Sequence, residues 1–261
     1  MKAKEILDSC FKEWGSLPFA AVSEKLLDCR AKSRLPQNAK SVICVLLPYL
    51  LDESLYEGQN VSKYAVVPDY HRIAADIMND VCDKLKEACP DEEFVAFCDN
   101  APVPEVFAAA SAGLGRIGVN NLLINERYGS YIFIVEIVTT LDMGMPAKMP
   151  ESCPQCGRCL DACPTDALRQ KRFDLCLSAI TQKKGELDEA GRRLVIESGC
   201  AWGCDKCQDA CPLNARAEKT DIDRFIDGAI ARVSLDTPIE GRAYAWRGKA
   251  TIERNIKLFE K

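Results

Sequence analysis

The sequence predicts an α+β protein whose first part mixes strands and helices and whose later part is organised by cysteines. Three observations carry this. Helical and strand-like apolar patterns follow one another through the first 147 residues without the regular strand–helix–strand spacing of a doubly wound sheet. Met143–Pro150 holds Gly144, Pro146 and Pro150 and no periodic pattern, which marks a boundary. Beyond it the chain reads Cys-Pro-Gln-Cys-Gly-Arg-Cys-Leu-Asp-Ala-Cys-Pro from Cys153 to Pro164, and Cys204, Cys207 and Cys211-Pro212 form a partner run. The expected organisation is residues 1–147, a cysteine module at 148–217, and a short helical extension at 218–261.

Each element has its own warrant. Residues 4–14 and 18–31 carry helix-like apolar spacing. Ser41–Leu47 is a short β-branched run before Pro48 and reads as a buried strand; residues 50–68 read as a loop. From Tyr70 to Ala88, Ile73, Ile77, Val81 and Leu85 recur at four-residue steps, with Asp69 placed to cap the helix and Pro90 to close it. Phe94–Cys98 reads as a strand entering the turn Asp99-Asn100-Ala101-Pro102, and Glu105–Ser111 as a short helix. Leu122–Asn125 and Tyr131–Thr140 are expected to pair across Glu126–Ser130. Helices at Ile222–Arg232 and Thr251–Glu260 close the chain.

Composition narrows the class. The 261 residues include 15 cysteines, and the opening Met1–Lys12 is interrupted by charges every few residues, so it lacks the apolar stretch of a signal peptide. The longest apolar runs, Val42–Leu51 and Tyr131–Val138, are broken by Pro48 and Glu136 and fall short of the ~20 residues a bilayer requires. A cytoplasmic protein without membrane contact is expected, with its cysteines as metal ligands or buried thiols rather than disulfides. A net charge of −5 argues against a general nucleic-acid binder. Arg242–Lys261 is a local exception, with six Lys/Arg against Glu253 and Glu260, and reads as a solvated helix face or a contact for an anionic partner.

The spacing C-x2-C-x2-C-x3-C-P is that of a bacterial ferredoxin module, in which three thiolates hold one cluster and the fourth serves the other. Two 4Fe-4S clusters need eight thiolates, and the two runs supply seven. By the ferredoxin exchange pattern, Cys153, Cys156 and Cys159 share a cluster with Cys211, while Cys163 joins Cys204 and Cys207. Ala201 stands where a symmetric second run would place its first cysteine, so Cys176 or Cys200 fills the vacancy. Structural zinc favours two pairs separated by a longer loop and fits poorly. Gly113-Leu114-Gly115-Arg116-Ile117-Gly118 follows a helix rather than a strand, which disfavours dinucleotide binding and suits a backbone approached by a flat or bulky ligand.

Asp99-Asn100-Ala101-Pro102-Val103-Pro104-Glu105, the Gly113–Gly118 segment and the cysteine module, in this order, resemble the epoxyqueuosine reductases. Lys63-Tyr64-Ala65, Asp69-Tyr70-His71 and Gly203–Asn214 extend the likeness, which covers residues 35–215 well. The resemblance implies an N-terminal nitroreductase-like cobalamin-binding domain followed by a two-cluster ferredoxin-like domain. It implies an oxidoreductase of queuosine biosynthesis and tRNA processing that reduces epoxyqueuosine, in tRNA or a related nucleoside, to queuosine. It favours Cys176 over Cys200, places the catalytic acid on Asp99, and places cobalamin contacts at Tyr64, Ala65, Asp99, Gly113, Leu114, Gly115, Asn121 and Ser130. An external one-electron donor of ferredoxin or flavodoxin type is implied, with a monomeric enzyme.

Asp99 acts as an acid near neutral pH only if burial raises its pKa. His71, the sole histidine, reads as a helix or pocket residue rather than a cobalt ligand. The chain departs from the family in having Arg116 where relatives carry tryptophan and Val119 where they carry lysine, and it resembles a short form lacking most of the C-terminal helical repeats. Two other readings stay open: a different cobalamin-dependent reduction such as carbon–halogen cleavage, and a ferredoxin-type electron carrier.

Overall fold

A computed structural model describes residues 2–259; Glu260 and Lys261, the end of the expected last helix and of the basic stretch, lie outside the described residues. In chain order the helices of the first half are α1 (Lys2–Cys10), α2 (Ala20–Ser23), α3 (Lys63–Val66), α4 (Tyr70–Ala88) and α5 (Glu105–Ser111). The strands are β1 (Trp14–Pro18), β2 (Ser41–Pro48), β3 (Phe94–Cys98), β4 (Arg116–Ile117), β5 (Leu123–Ile124), β6 (Ile132–Thr139) and β7 (Glu151–Ser152). The remainder is helical: α6 (Arg158–Asp161), α7 (Ala167–Gln170), α8 (Leu177–Gln182), α9 (Glu189–Ser198), α10 (Lys206–Asp209), α11 (Asp223–Asp227) and α12 (Lys249–Phe259).

Strands and helices are mixed as expected, and α4, β3 and α5 begin and end where the sequence places them. Three expectations are corrected. The first two helices are shorter, and β1 lies between them: Trp14–Pro18 pairs antiparallel with β2, from Trp14 opposite Val45 to Pro18 opposite Ser41. Pro18 ends this edge segment, where a missing N–H is tolerated. The hairpin across Glu126–Ser130 does not form; β5 pairs with β4 while β6 joins the larger sheet. The helix expected over 222–232 stops at Asp227, ahead of Gly228.

The chain divides into two compact units. The first comprises Met1–Leu47, His71–Glu126 and Ile132–Pro154; the second comprises Pro48–Tyr70, Arg127–Tyr131 and Gln155–Lys261. In the first unit a four-stranded sheet runs in the order β1-β2-β6-β3, with β3 antiparallel to β6. One face packs Val42, Cys44, Leu46, Phe97, Ile134 and Val138 against the alanines of α5, Ala108, Ala109 and Ala110. Small residues let α5 lie close: a Cβ on Gly15 of β1 would stand 2.8 Å from the Ala112 carbonyl oxygen. Burial of this apolar face is the main stabilising term, at roughly 25 cal/mol per Å² removed from water.

The second unit is built from short helices and loops. Trp202, Phe225 and Tyr244 are its largest fully buried side chains. Asn60 ties distant segments together: its Nδ2 donates to the Val233 carbonyl at 2.8 Å, its Oδ1 accepts from the Val233 N–H at 2.8 Å, and its carbonyl accepts from the Ala201 N–H. Among the described residues, no helix is long and apolar enough to cross a membrane.

Candidate functional site

Asp99 closes β3 and opens the turn into α5. Asp99 and Asn100 both adopt left-handed backbone conformations, with φ of 52° and 40°. Aspartate and asparagine tolerate this region better than other non-glycine residues. The turn is held by its own side chain, since Asp99 Oδ1 accepts from the Asn100 N–H at 2.6 Å. The other oxygen faces α4, where His71 Nε2 lies 3.3 Å from Asp99 Oδ2. The two side chains are 57% and 46% exposed. Burial of Asp99, expected for an acid working near neutral pH, is therefore not what this turn provides; a histidine partner is. Residues 28 apart carry no local signal of their meeting, so sequence reasoning missed the pair. A cavity of about 470 Å³ is lined by His71 and Cys98 together with Arg34, Met78, Asn79 and Phe97. Its size falls in the range of small-molecule sites.

The other site residues implied in the first unit lie after α5. Gly113, at φ 85°, follows the last turn of the helix, its N–H donating to the Ala110 carbonyl at 3.0 Å, and is exposed. Leu114 is buried. A Cβ on Gly115 would collide with the Ile124 carbonyl, so this glycine is required by the close pairing of β4 and β5. Asn121 is exposed and left-handed at φ 61°. Internal packing thus accounts for Gly115, while at Gly113 the Lys148 side chain lies in the space a Cβ would enter.

In the second unit Tyr64 accepts a hydrogen bond from Trp202 Nε1 at 2.8 Å, and Ala65 is fully buried. Ser130 is buried and fully engaged. Its N–H donates to Asn214 Oδ1 at 2.9 Å; its carbonyl accepts from Gln208 Nε2 at 2.9 Å, and its hydroxyl oxygen accepts from Asn214 Nδ2 at 2.9 Å. Gln208 lies between the cysteines of the second run, and Asn214 just follows them. Tyr49 completes this knot, accepting from Gln208 Nε2 at 3.1 Å. Lys63 Nζ meets Asp209 Oδ1 at 2.5 Å, and its backbone N–H donates to Asp205 Oδ2 at 2.8 Å. Burial pushes the Asp205 carboxyl up to about 6, with the Lys63 charge pulling it back.

The cysteine runs share a local design. Cys159 lies on α6 and Cys207 on α10, and these two short helices pack together. The residue before Cys156 and the residue before Cys204 are both left-handed, Gln155 at φ 55° and Gly203 at φ 83°. Cys153 follows β7, with its N–H donating to the Ile117 carbonyl at 3.0 Å. The Cys163 thiol is raised by burial, but the N–H groups of Leu168, Thr165 and Ala167 outweigh this and lower its pKa, as suits a thiolate ligand. Cys204 is pushed up to about 12, first by burial and also by the neighbouring Cys176, Asp205 and Cys200 charges. Cys200 differs in kind. Its Sγ–H donates to the Trp202 and Gly203 carbonyls, each at 3.3 Å, and burial raises it to about 11. Ala201, at the vacant ligand position, is fully buried and held through its backbone.

Together these features define a two-run iron–sulfur module joined to a mixed sheet-and-helix unit that carries an exposed acid. Residues 152–214 match the family model described as 4Fe-4S double cluster binding domain, so the module binds two such clusters. Residues 30–100 match the model described as Epoxyqueuosine reductase QueG, DUF1730. The chain is 39% identical over 191 residues to the epoxyqueuosine reductase of Gloeobacter violaceus, covering 70% of this chain and 59% of that protein. It is 34% identical over 206 residues to the enzyme of Leadbetterella byssophila, covering 77% of this chain and 67% of the relative. A solved epoxyqueuosine reductase, in complex with an epoxyqueuosine-modified tRNA stem loop, shares the fold with a TM-score of 0.76 at 22% identity, over 98% of this chain and 78% of the other. The chain belongs to the epoxyqueuosine reductase family.

Proposed function

We propose that this protein reduces the epoxide of epoxyqueuosine, in tRNA or a related nucleoside, to the alkene of queuosine. The overall change consumes two electrons and two protons and releases water. Electrons from an external one-electron donor enter through two clusters, one held by Cys153, Cys156, Cys159 and Cys211 and the other by Cys163, Cys176, Cys204 and Cys207. The choice of Cys176 is supported by the thiol of Cys200, which is already spent on two backbone carbonyls. Residues 1–147 are read as a nitroreductase-like cobalamin domain, the cysteine module as ferredoxin-like, and the enzyme as a cytoplasmic monomer.

Cobalamin, when bound, supplies a strongly nucleophilic reduced metal. The Gly113–Gly115 segment, where only the flexible Lys148 side chain lies over Gly113, is assigned to a flat macrocycle, and Tyr64, Ala65, Asn121 and Ser130 are assigned to its surroundings. Ser130 acts there by fixing its loop, because its polar atoms are engaged by Gln208 and Asn214. Asp99 gives the proton that lets the epoxide oxygen leave as a hydroxyl, and His71 orients the Asp99 carboxyl and holds its charge.

The observation that carries this reading is the turn itself: an exposed carboxyl held by two consecutive left-handed residues and aimed at a histidine. Unusual backbone of this kind gathers at functional sites. The test is turnover of epoxyqueuosine-containing stem loop and of the free nucleoside, followed by mass analysis. Asp99→Asn should retain iron and corrin and lose about 10²-fold or more in rate, the usual worth of a positioned acid. Full turnover by that variant would remove Asp99 from the chemistry.

A further inference from the structure

The two cysteine runs can be laid on one another: Cys156, Cys159 and Cys163-Pro164 fall on Cys204, Cys207 and Cys211-Pro212. Their charges match at most positions. Arg158 corresponds to Lys206, and both are exposed. Asp161 corresponds to Asp209, and each of these acids has a cation. Arg169 Nη2 lies 2.8 Å from Asp161 Oδ1, and Lys63 Nζ lies 2.5 Å from Asp209 Oδ1. One position breaks the match. Gly157 follows Cys156 and has no side chain, whereas Asp205 follows Cys204. Both residues are N-caps, Gly157 of α6 and Asp205 of α10.

An aspartate at an N-cap ordinarily accepts from the first N–H groups of its own helix. The Asp205 side chain makes no such bond. Its Oδ2 accepts from the Lys63 backbone N–H at 2.8 Å and from Gln59 Nε2 at 3.4 Å, while its Oδ1 is buried without a hydrogen-bond partner. Both bonds come from donors, which is the setting of a carboxylate rather than of a protonated acid. The Lys63 ammonium is held on Asp209 and so is only partly available to Asp205. The second run therefore carries a buried negative charge that the first run lacks. Burying a charge without full pairing is costly, and a glycine does the capping in the first run.

We propose that Asp205 tunes the second cluster: its carboxylate lowers the reduction potential of the cluster ligated by Cys204 and Cys207. The inference rests on those two cysteines sharing a cluster and does not depend on the substrate. Asp205 is the chain neighbour of Cys204, with Cα atoms about 3.8 Å apart. When the cluster accepts an electron from the external donor, it gains one negative charge. A fixed negative charge beside it opposes that step, and net charge is one of the levers that set cluster potentials. Burial keeps solvent from screening the interaction, whereas the exposed Asp161–Arg169 pair is screened. Lys63 works in the opposite sense, because its ammonium offsets part of the Asp205 field. The chemistry proposed above calls for a strongly reduced metal, and a cluster of lower potential is the better source of that electron. Asp205 and Lys63 are positioning residues in this scheme; neither ligates iron.

The test is a redox titration of the full chain carrying both clusters, at pH 8, read by electron paramagnetic resonance. The midpoint that is missing from Cys204→Ala identifies the second cluster. Asp205→Asn keeps the size of the side chain and an acceptor for the Lys63 N–H but removes the charge. At a fixed potential it should raise the ratio of reduced to oxidised second cluster about tenfold, a midpoint shift of about +59 mV for a one-electron couple. The first cluster should stay within about twofold. Asp205→Glu, which restores the charge, should bring the second midpoint back toward the parent. Lys63→Met keeps the backbone N–H and removes the ammonium, so it should shift the same midpoint downward, about threefold in the ratio. A second midpoint within about twofold of the parent in Asp205→Asn overturns the proposal, as does an equal shift of both clusters or a shift of the same sign in Asp205→Asn and Lys63→Met. Should Asp205→Asn fail to take up its clusters, Lys63→Met decides alone, and an unmoved midpoint there overturns the proposal. These potentials are measured without turnover, so they stand or fall apart from epoxyqueuosine as the substrate.

Discussion

Removing the Asn255 amide should loosen the second cysteine run from a distance. Helix α12 buries Thr251, Ile252, Asn255 and Ile256, a stripe on which Thr251 and Asn255 are the polar side chains. Asn255 Nδ2 donates to the Thr181 and Ala201 carbonyls, each at 2.7 Å. Thr181 belongs to α8, whose N-cap is Cys176, and Ala201 precedes Cys204 by three residues. On the proposed ligand set, one amide therefore clamps two of the three segments that would supply the second cluster, those of Cys176 and of Cys204. Arg254 Nη2 donates to Asn255 Oδ1 at 2.8 Å and so fixes the amide's orientation. Asn255→Ala leaves the buried Ala201 carbonyl without its side-chain donor and the Thr181 carbonyl with only Arg254 Nη2 at 3.3 Å, so the loss should be about 1–3 kcal/mol. That is a large share of the ~5–15 kcal/mol by which a domain of ordinary stability holds its fold. Asn255→Asp should be worse, because it turns an acceptor toward two carbonyl oxygens. Denaturant midpoints of anaerobically loaded protein, read by circular dichroism and by chelator-trapped iron, measure both effects. An alanine variant within about 0.5 kcal/mol of the parent, releasing iron at the same midpoint, would refute the clamp.

Further outcomes follow from the same geometry. Cys176→Ser should lower iron content by close to one cluster, whereas Cys200→Ser should leave it unchanged; the reverse pattern in iron and sulfide assays would reassign the eighth ligand. Gly203→Ala meets two obstacles, a φ of +83° and the Ser62 side chain in the space its Cβ would enter, so it should reduce loading of the cluster that uses Cys204, measured by the same assays. Glu105 also predicts a pH effect. Its folded pKa is raised from 4.5 to about 7, so its contribution to stability is complete below pH 4.5 and is lost as pH rises through 7. Between pH 5.5 and 8 this group should cost the parent about 2 kcal/mol that Glu105→Gln does not lose, as denaturant midpoints at the two pH values would report.

What the sequence makes legible is local. Helix α4 shows because four apolar residues recur at helical steps, and β3 and α5 because Pro90, Pro102 and Pro104 bound them. Strand β1 does not show, since Trp14-Gly15-Ser16-Leu17-Pro18 lacks β-branched residues and its strand character comes from pairing with β2. The expected hairpin fails for a related reason: Leu123 and Ile124 are drawn to Ile117 and Arg116, and no local rule anticipates that choice. At the site, the cysteines are legible because cluster chemistry imposes their spacing. The Asp99–His71 pair is not, because it is made by packing α4 beside the end of β3. Glu136 stands between these cases, visible as the one charge in an apolar run but without the partners that give it meaning.

Asp99 also raises a question that its own surroundings do not answer. Its side chain is more than half exposed, and its partner at 3.3 Å is a histidine rather than an apolar wall. A carboxyl that works as an acid near neutral pH is usually held by burial. On the proposed reaction, bound cofactor and substrate would supply that cover, so the chain by itself shows the carboxyl positioned by its left-handed turn and by His71 before anything buries it.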